Sequence, residues 1–208
     1  RRNPAGSAPP AGCFRAISFN VNGLRAVLKR PEPLVAMVDA ERPHALCLQE
    51  TKLQDQHTAD AEAELRALLP GRGEDWVFVW SCSGPPARKG YSGVLVALDG
   101  ARLELGGMKV TKGIGLAEAD AEGRSITVRL PGGDGNGGSG GLVLSNHYVP
   151  NSGDKLQRLG FREREWDAAL TRHLADEVEG GGVGAGGAAL CCADFNVAVE
   201  DIDFHNPH

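Results

Sequence analysis

The chain has 208 residues and a formal net charge of −5, with 22 lysines and arginines against 27 aspartates and glutamates. Hydrophobic residues make up 41% of it, which is enough to bury a core and excludes a disordered polypeptide. The charge also excludes a protein that binds nucleic acid through a strongly basic surface alone. It does not exclude a nuclease, because a site that holds a divalent cation is itself acidic.

Residues 1–12 are rich in Pro, Gly and Ala and predict a disordered lead-in, followed by one domain over residues 13–208. Short apolar runs predict strands at 14–19, 45–48, 76–80, 93–98, 102–105, 125–130, 142–146 and 188–192. Apolar residues at helical spacing predict three helices: a short one that includes Leu34 and Val38, one over 59–69 and one over 158–178. The glycine-rich stretches 132–141 and 180–187 predict a hairpin loop and a linker.

The order of these elements indicates the fold class. Some strands follow each other directly, and others are separated by a helix. This favours an α/β protein with two packed mixed sheets and outer helices over a single doubly wound sheet. Five cysteines without a CxxC motif predict free thiols in a reducing compartment, and Cys47, Cys191 and Cys192, in apolar runs, are expected to be buried. No apolar run approaches the roughly 18 residues of a membrane span, so no membrane partner is expected.

Polar side chains follow four of the predicted strands at the points where those strands end. They are Asn20 and Asn22, Glu50 and Lys52, Tyr148 and Asn151, and Asp194 and Asn196. In α/β sheets, ligands bind at strand ends, where loops converge. The four strand ends are therefore expected to build one polar cluster.

Glu50 and Asp194 are the carboxylates of this expected cluster. Glu50 follows a fully apolar strand and is a candidate ligand for Mg²⁺, which prefers oxygen donors and takes one or two carboxylates. The alternative for Glu50 is a surface ion pair with Lys52. Asp194 and Asn196 lie two residues apart on an extended segment, so their side chains point the same way and can orient one water molecule. The alternative for this pair is an Asx turn that ends the strand.

The amides and the tyrosine are less specific signals. Asn20 and Asn22 repeat the two-residue spacing, either as part of the site or as turn residues around Gly23. Tyr148 and Asn151 are candidate donors to phosphate oxygens, with plain packing as the alternative for the tyrosine. The sequence has no Walker, GxGxxG, GxSxG or zinc-type histidine motif, so nucleotide-binding, serine-hydrolase and zinc-hydrolase sites lose support.

Six sequence blocks together resemble the exonuclease III/apurinic-apyrimidinic (AP) endonuclease family, in that family's order. The blocks are FNVNGLRA (19–26), LCLQETK (46–52), GYSGV (90–94), EGRSITV (122–128), YVPNSG (148–153) and DFNVAVEDIDFHNP (194–207). The NSGDKLQRL stretch is most similar to the plant-type members of the eukaryotic branch. The resemblance implies a four-layer α/β/β/α sandwich within the larger endonuclease/exonuclease/phosphatase superfamily. It also implies Mg²⁺-dependent hydrolysis of the phosphodiester 5′ to an abasic site in base excision repair, and leaves the share of 3′–5′ exonuclease activity open.

The resemblance implies a role for each residue that matches a family motif. Glu50 resembles the metal ligand, and Asn20 and Asn22 resemble groups around the same metal. Asp194 resembles the carboxylate that orients or deprotonates the attacking water, and Asn196 resembles its partner.

Other matched positions resemble contacts to the substrate. Tyr148 and Asn151 resemble phosphate and active-site contacts. The candidate DNA-binding residues are Arg25, Lys52, Lys89 and Tyr91. The implied cofactor is Mg²⁺, with Mn²⁺ as an alternative, and the implied partner of a monomeric protein is double-stranded DNA that contains abasic sites. The expected location is intracellular, in the nucleus or the chloroplast.

The sequence also departs from the family pattern. Asn22 stands where the family often has Asp, and Ala193 stands where it usually has Gly. The family continues beyond the IDFHNP motif with further strands and a late Asp-His pair. We therefore expect this chain to be a partial catalytic domain that cleaves poorly by itself. A phosphatase or deadenylase of the same superfamily, and a non-catalytic chain that binds DNA or a partner, are the alternatives.

Overall fold

The structure is a computed structural model that describes residues 13–132, 140–183, 187–198 and 200. Its first sheet contains β1 (Ala16–Asn20), β2 (Ala45–Gln49), β3 (Trp76–Ser81) and β4 (Val94–Asp99). The strand order is β1-β2-β4-β3, with β1 and β2 parallel and the other neighbours antiparallel. Because β1 and β2 run in the same direction, their carboxyl ends reach the same edge of the sheet, where Asn20 pairs with Gln49.

The second sheet is also mixed. It contains β5 (Lys109–Lys112), β6 (Ser125–Leu130), β7 (Leu142–Tyr148) and β8 (Ala188–Asp194), in that spatial order. Only β7 and β8 are parallel, and Tyr148 pairs with Asp194 at their carboxyl ends. Each sheet therefore presents one parallel pair whose ends carry polar side chains.

The helices cover the outer faces of the two sheets. They are α1 (Leu24–Leu28), α2 (Glu32–Glu41), α3 (Thr58–Leu68), α4 (Ala117–Ala121), α5 (Leu159–Phe161) and α6 (Asp167–Glu177). Side chains alternate along β2, so Leu46 and Leu48 pack against α1–α3, while Ala45 and Cys47 pack toward the second sheet. A further apolar cluster around Trp166 lies with α4 and α6. The layers are thus α/β/β/α, and the predicted pair of mixed sheets with outer helices is confirmed.

A longer helical segment than predicted precedes β8. α5 continues through a π-helical turn (Arg162–Trp166) into α6, and a second π-helical turn (Val178–Gly182) follows. Trp166 of the predicted apolar stripe is fully buried, but Val178 is 39% exposed, because it lies past the part of the helix that packs on the sheet. No helix in the described part of the chain is long and apolar enough to cross a membrane.

The predicted strand at 102–105 is wrong, because these residues form a turn after β4. Arg102 Nε lies 2.5 Å from Asp99 Oδ2, and Arg102 Nη1 donates to the carbonyl of Arg42 at 2.9 Å. Leu103 and Leu105 pack against the inter-sheet core without joining a sheet. Tertiary contacts therefore override the strand preference of the alternating polar and apolar residues at 102–105. The short helices α1 and α4 were not predicted, since five residues are too few for a helical period to show.

The cysteines differ in exposure more than their apolar neighbours predict. All five are free thiols, and Cys47 and Cys192 are buried between the sheets. Cys191 is exposed, which corrects the prediction, because β8 is the last strand of its sheet among the described residues and none of them covers its outer face. The predicted lead-in at 1–12 and most of the glycine-rich loop at 132–141 lie outside the described residues.

A buried histidine pair lies between the second sheet and α6. The His147 Nδ1 atom is 3.0 Å from Ser125 Oγ, and the His147 ring meets the His173 ring edge-on, with centroids 6.2 Å apart. His147 has no solvent exposure. Burial, and secondly the nearby His173, lowers the pKa of His147 from 6.5 to about 3.

We expect His147 to make the protein less stable in mild acid. The unfolded chain binds a proton at His147 below pH 6.5, whereas the folded protein resists it down to about pH 3. The free energy of unfolding therefore keeps its full value above pH 6.5 and falls as the pH decreases. His147 alone lowers it by about 2 kcal/mol at pH 5. Urea unfolding at pH 7.5 and pH 5 should show a smaller loss for His147→Asn than for the wild type. His57→Asn, outside this core, should lose as much as the wild type; equal losses in all three proteins would contradict the prediction.

Candidate active site

The carboxyl ends of the two parallel strand pairs meet at one edge of the sandwich. Asn20 ends β1, Glu50 follows β2, and Asp194 ends β8. The Asn20 side-chain amide donates to Glu50 Oε1 at 2.9 Å and to Asp194 Oδ2 at 2.6 Å. One amide therefore joins two carboxylates that come from opposite sheets, as the positions of the strand ends predict.

Lys52 and Asn22 complete the part of this cluster that belongs to the first sheet. The Lys52 ammonium lies 2.9 Å from Glu50 Oε2 and also donates to Asn22 Oδ1. The backbone N–H of Asn22 donates to Asn20 Oδ1 at 2.9 Å. The ion pair considered as the alternative for Glu50 thus exists, but it lies inside the cluster and not apart from it.

Glu50 is held in its charged form. Burial alone raises the pKa of this carboxyl, but hydrogen bonds from Asn20, Lys52 and Tyr148, with the charge of Lys52, outweigh burial and lower the pKa below its ordinary value. The Tyr148 hydroxyl that donates to Glu50 has a raised pKa, because of burial and then because of this bond and the negative charge it contacts. At neutral pH the site therefore combines an ionised Glu50 with a protonated Tyr148.

The loops around Glu50 are fixed by backbone hydrogen bonds and unusual dihedral angles. The N–H groups of Gly23 and Leu24 donate to the carbonyls of Glu50 and Thr51 at 2.7 and 3.0 Å. Seven non-glycine residues in the described part of the chain have positive φ, and five of them belong to the loops at this edge: Asn22, Glu50, Lys52, Ser92 and Asn196. Such residues are uncommon and concentrate at functional sites, where the surrounding structure maintains them.

The turn after β8 presents Asp194 and Asn196 together. The Asn196 N–H donates to Asp194 Oδ1 at 2.9 Å, and the Asn196 side chain donates to the carbonyl of Val149 at 2.8 Å. Asn151 donates its side-chain N–H to Asn196 Oδ1 at 2.9 Å. The Asx turn considered as the alternative is therefore present, and it leaves the Asp194 carboxylate directed at Asn20.

The predicted DNA-binding residues are less closely grouped. Arg25 on α1 and Lys89 are exposed, while Lys52 is turned toward Glu50. Tyr91 is partly buried, and its hydroxyl accepts a hydrogen bond from Arg124 at 3.1 Å. The structure brings the loop of Tyr91 close to Lys52, because the Lys52 N–H donates to the Ser92 carbonyl at 2.8 Å.

Three residues at the site were not predicted from the sequence. Arg162 donates to the carbonyls of Phe195 and Asn196 at 2.6 and 2.7 Å and so holds the Asp194 turn from α5 and the π-helical turn. Gln49 and Asn146, both fully buried, join the sheets through a 2.7 Å hydrogen bond directly beneath the site. Arg162 is one of several arginines on a polar helix face, so no sequence signal distinguishes it. Gln49 and Asn146 could have been identified, because an amide side chain at the end of an apolar strand is a recognisable signal.

The donor set suits a hard divalent cation. Glu50 and Asp194 both lie within hydrogen-bond distance of the same nitrogen, so two like charges are close together and a cation between or beside them would relieve their repulsion. No group of three or more His, Cys, Asp or Glu side chains that could hold a metal occurs among the described residues. Mg²⁺ is usually bound through only one or two carboxylates plus water, so this small oxygen set fits it.

The chain is similar to several known nucleases. An exodeoxyribonuclease of Bacillus subtilis (strain 168) is 32% identical over 194 residues, which is 93% of this chain and 63% of that protein. DNA repair nuclease APEX1 of Danio rerio is 35% identical over 197 residues, which is 95% of this chain and 53% of that protein. The solved structure of an AP endonuclease from Leishmania major has a TM-score of 0.71 at 29% identity, and covers 93% of this chain and 58% of that one.

The region of similarity to these proteins includes the candidate site. The chain spans only 53% to 63% of the length of the two curated relatives. The family model described as Endonuclease/Exonuclease/phosphatase family matches residues 17–208, a range that includes Asn20, Glu50 and Asp194. The chain therefore belongs to the Endonuclease/Exonuclease/phosphatase family.

Proposed function

We propose that the protein is a Mg²⁺-dependent DNA phosphodiesterase of the AP endonuclease type, which hydrolyses the phosphodiester 5′ to an abasic site in double-stranded DNA during base excision repair. The observation that carries the proposal is the Asn20 amide, which joins Glu50 of one sheet to Asp194 of the other. The similar proteins named above, an exodeoxyribonuclease, a DNA repair nuclease and an AP endonuclease, support DNA as the substrate class.

In this proposal, Asp194 orients the attacking water and accepts its proton. The Asp194 carboxylate is fixed by Asn20 on one oxygen and by the Asn196 N–H on the other, so it is positioned before substrate binds. Asn151 and Tyr148 stand at the same edge as donors for phosphate oxygens, where fixed donors stabilise charge that develops in the transition state.

Glu50, with Asn20 and Asn22 beside it, would hold the cation in this proposal. When bound, Mg²⁺ supplies charge neutralisation for the developing oxyanion. Lys52 lies beside Glu50 and keeps that carboxylate charged, so the site is ready to accept a cation at neutral pH.

Efficient cleavage is expected to need residues beyond those of this chain. The resemblance includes a late Asp-His pair, and none of the described histidines hydrogen-bonds to Asn20, Glu50 or Asp194. His147 is nearest in sequence to Tyr148, but it faces α6. We expect the 208-residue chain to cut abasic DNA much more slowly than a version extended by the segment that follows the matched region in the Bacillus subtilis relative.

The test is incubation of both proteins with an end-labelled duplex that contains one abasic-site analogue, with and without Mg²⁺. The extended protein should cut on the 5′ side of the abasic position only when Mg²⁺ is present, and should leave an undamaged duplex intact. An extended protein that never cuts the abasic duplex would refute the proposed function. Equal rates for the two proteins would show instead that the added segment is not needed.

DNA binding is expected to weaken steeply with salt despite the negative net charge, because phosphate contacts release counterions. Arg25→Ala and Lys89→Ala should each lower the slope of log Kd against log salt by about one. Lys109→Ala on β5 is the matched control, since Lys109 is equally exposed but lies on the strand farthest from β8 in its sheet. Fluorescence anisotropy of a labelled abasic duplex between low and moderate salt measures the slopes. A flat wild-type salt dependence would contradict the DNA-backbone contacts.

A further inference from the structure

Arg124, in the EGRSITV block, is a buried arginine that contacts both tyrosines of the chain. It is 1% exposed, and the sequence contains only Tyr91 and Tyr148. Arg124 Nη2 donates to the Tyr91 hydroxyl at 3.1 Å, and Nη1 donates to the Tyr148 carbonyl at 3.0 Å. The guanidinium also lies over both rings, 4.7 Å from the Tyr148 centroid and 5.4 Å from the Tyr91 centroid. One planar group thus restrains two aromatic side chains by hydrogen bonding and by cation–π contact.

The same arginine is itself held in place. Its Nε pairs with Glu122, whose carboxylate also lies 3.3 Å from Arg158 Nη2. Gly123, between Glu122 and Arg124, has a φ of +65°, and a Cβ atom there would lie 2.5 Å from the backbone of Cys82. A buried arginine is tolerated when it is paired and hydrogen-bonded, and here each of its three nitrogens has a partner. The closely packed turn and the ion pair therefore leave the guanidinium little freedom.

Arg124 is linked to the carboxylates of the candidate site through the two tyrosines that it contacts. Tyr148, whose ring it faces, pairs with Asp194 where β7 and β8 end, and its hydroxyl interacts with the Glu50 carboxylate. Tyr91 is in the loop whose Ser92 carbonyl accepts the Lys52 N–H. Any movement of Arg124 would be transmitted to a group that contacts Glu50 and to a loop that borders Lys52.

We propose that Arg124 is a positioning residue that fixes the orientations of Tyr148 and Tyr91, and through them the placement of the phosphate and DNA contacts. As far as it concerns turnover, this inference rests on the proposed function. Lysine cannot replace arginine here, because a single ammonium cannot supply the parallel donors and the flat face that Arg124 presents to the two tyrosines.

The orientation of the tyrosines can be measured without activity. Uniform 3-fluorotyrosine labelling of the 208-residue chain gives ¹⁹F signals from two side chains, which Tyr91→Phe assigns. Arg124→Lys should shift both ¹⁹F signals and change their line widths. Arg129→Lys is the matched control: Arg129 lies on β6, which Arg124 directly precedes, and pairs through Nε with Glu177, 2.5 Å away, but touches neither tyrosine in the described contacts. Signals that respond no more to Arg124→Lys than to Arg129→Lys would overturn the proposal.

The effect on turnover is tested in the extended protein. Arg124→Lys should lower kcat by about 10²-fold, the size expected when a reacting group is misplaced by about 1 Å, while Arg129→Lys should leave kcat unchanged. In a Tyr148→Phe background the Arg124→Lys effect should shrink, because residues that act as one unit are not additive. Full additivity would overturn the proposal. If the unmutated extended protein does not cut DNA, the proposed function fails, and the ¹⁹F spectra alone decide the role of Arg124.

Discussion

Asp194→Asn is expected to slow cleavage of the abasic duplex by about 10²–10⁴-fold, the range that a positioned general base contributes. The substitution removes the charge and the proton acceptor but keeps the shape of the side chain. Asp194 accepts hydrogen bonds from the Asn20 side chain and from the Asn196 backbone, and the amide oxygen of asparagine can retain one of them. The loss should therefore appear in kcat with little change in the unfolding midpoint.

Asp167→Asn, at the exposed start of α6, is the matched control for this loss of one negative charge. It should keep wild-type turnover. The measurement is single-turnover cleavage by the extended protein at saturating Mg²⁺. A rate for Asp194→Asn within a few-fold of the control would remove Asp194 from the role of base.

Glu50→Gln is expected to raise the Mg²⁺ concentration needed for half-maximal cleavage by at least about 10-fold, comparable to the loss of groups that support a metal site. Glutamine keeps an oxygen at this position but no charge. Since Lys52 is paired with Glu50, the substitution also leaves an unpaired ammonium beside the site, which repels a cation. Both effects act in the same direction.

The control is Glu62→Gln, whose carboxylate pairs with Arg66 at 2.8 Å on α3, on the helical side of the first sheet. It should not change the Mg²⁺ dependence. The measurement is a titration of cleavage rate against Mg²⁺ for the three proteins. Superimposable titrations for Glu50→Gln and the wild type would show that Glu50 is not a ligand.

The location of the candidate site follows from the sequence because strand ends are visible in it. Glu50 directly follows β2, and Asp194 directly follows the apolar run of β8. In α/β folds, ligands bind where the loops at strand ends converge, so these carboxylates can be predicted to join one polar cluster. The structure adds that Asn20 is the group that joins them. The roles of these residues in binding and catalysis stay predictions.

Contacts between distant segments set the parts that the sequence did not reveal. The 102–105 segment alternates polar and apolar residues like a strand, yet Arg102 is drawn to Asp99 and to the backbone of the α2–β2 connection. Arg124 is a single charged residue at the start of an apolar strand, which commonly means a solvated strand end. Only the packing of Tyr91 and Tyr148 around it makes it a buried group.

Direct binding of a divalent cation tests the proposed cation site at Glu50 without depending on turnover. Mn²⁺, observed by electron paramagnetic resonance, is titrated into the 208-residue chain, and Mg²⁺ is then added as competitor. We expect one Mn²⁺ site that Mg²⁺ displaces, with affinity lowered at least about 10-fold in Glu50→Gln and unchanged in Glu62→Gln. Equal Mn²⁺ affinity in Glu50→Gln and the wild type would contradict a cation site at this edge of the sandwich.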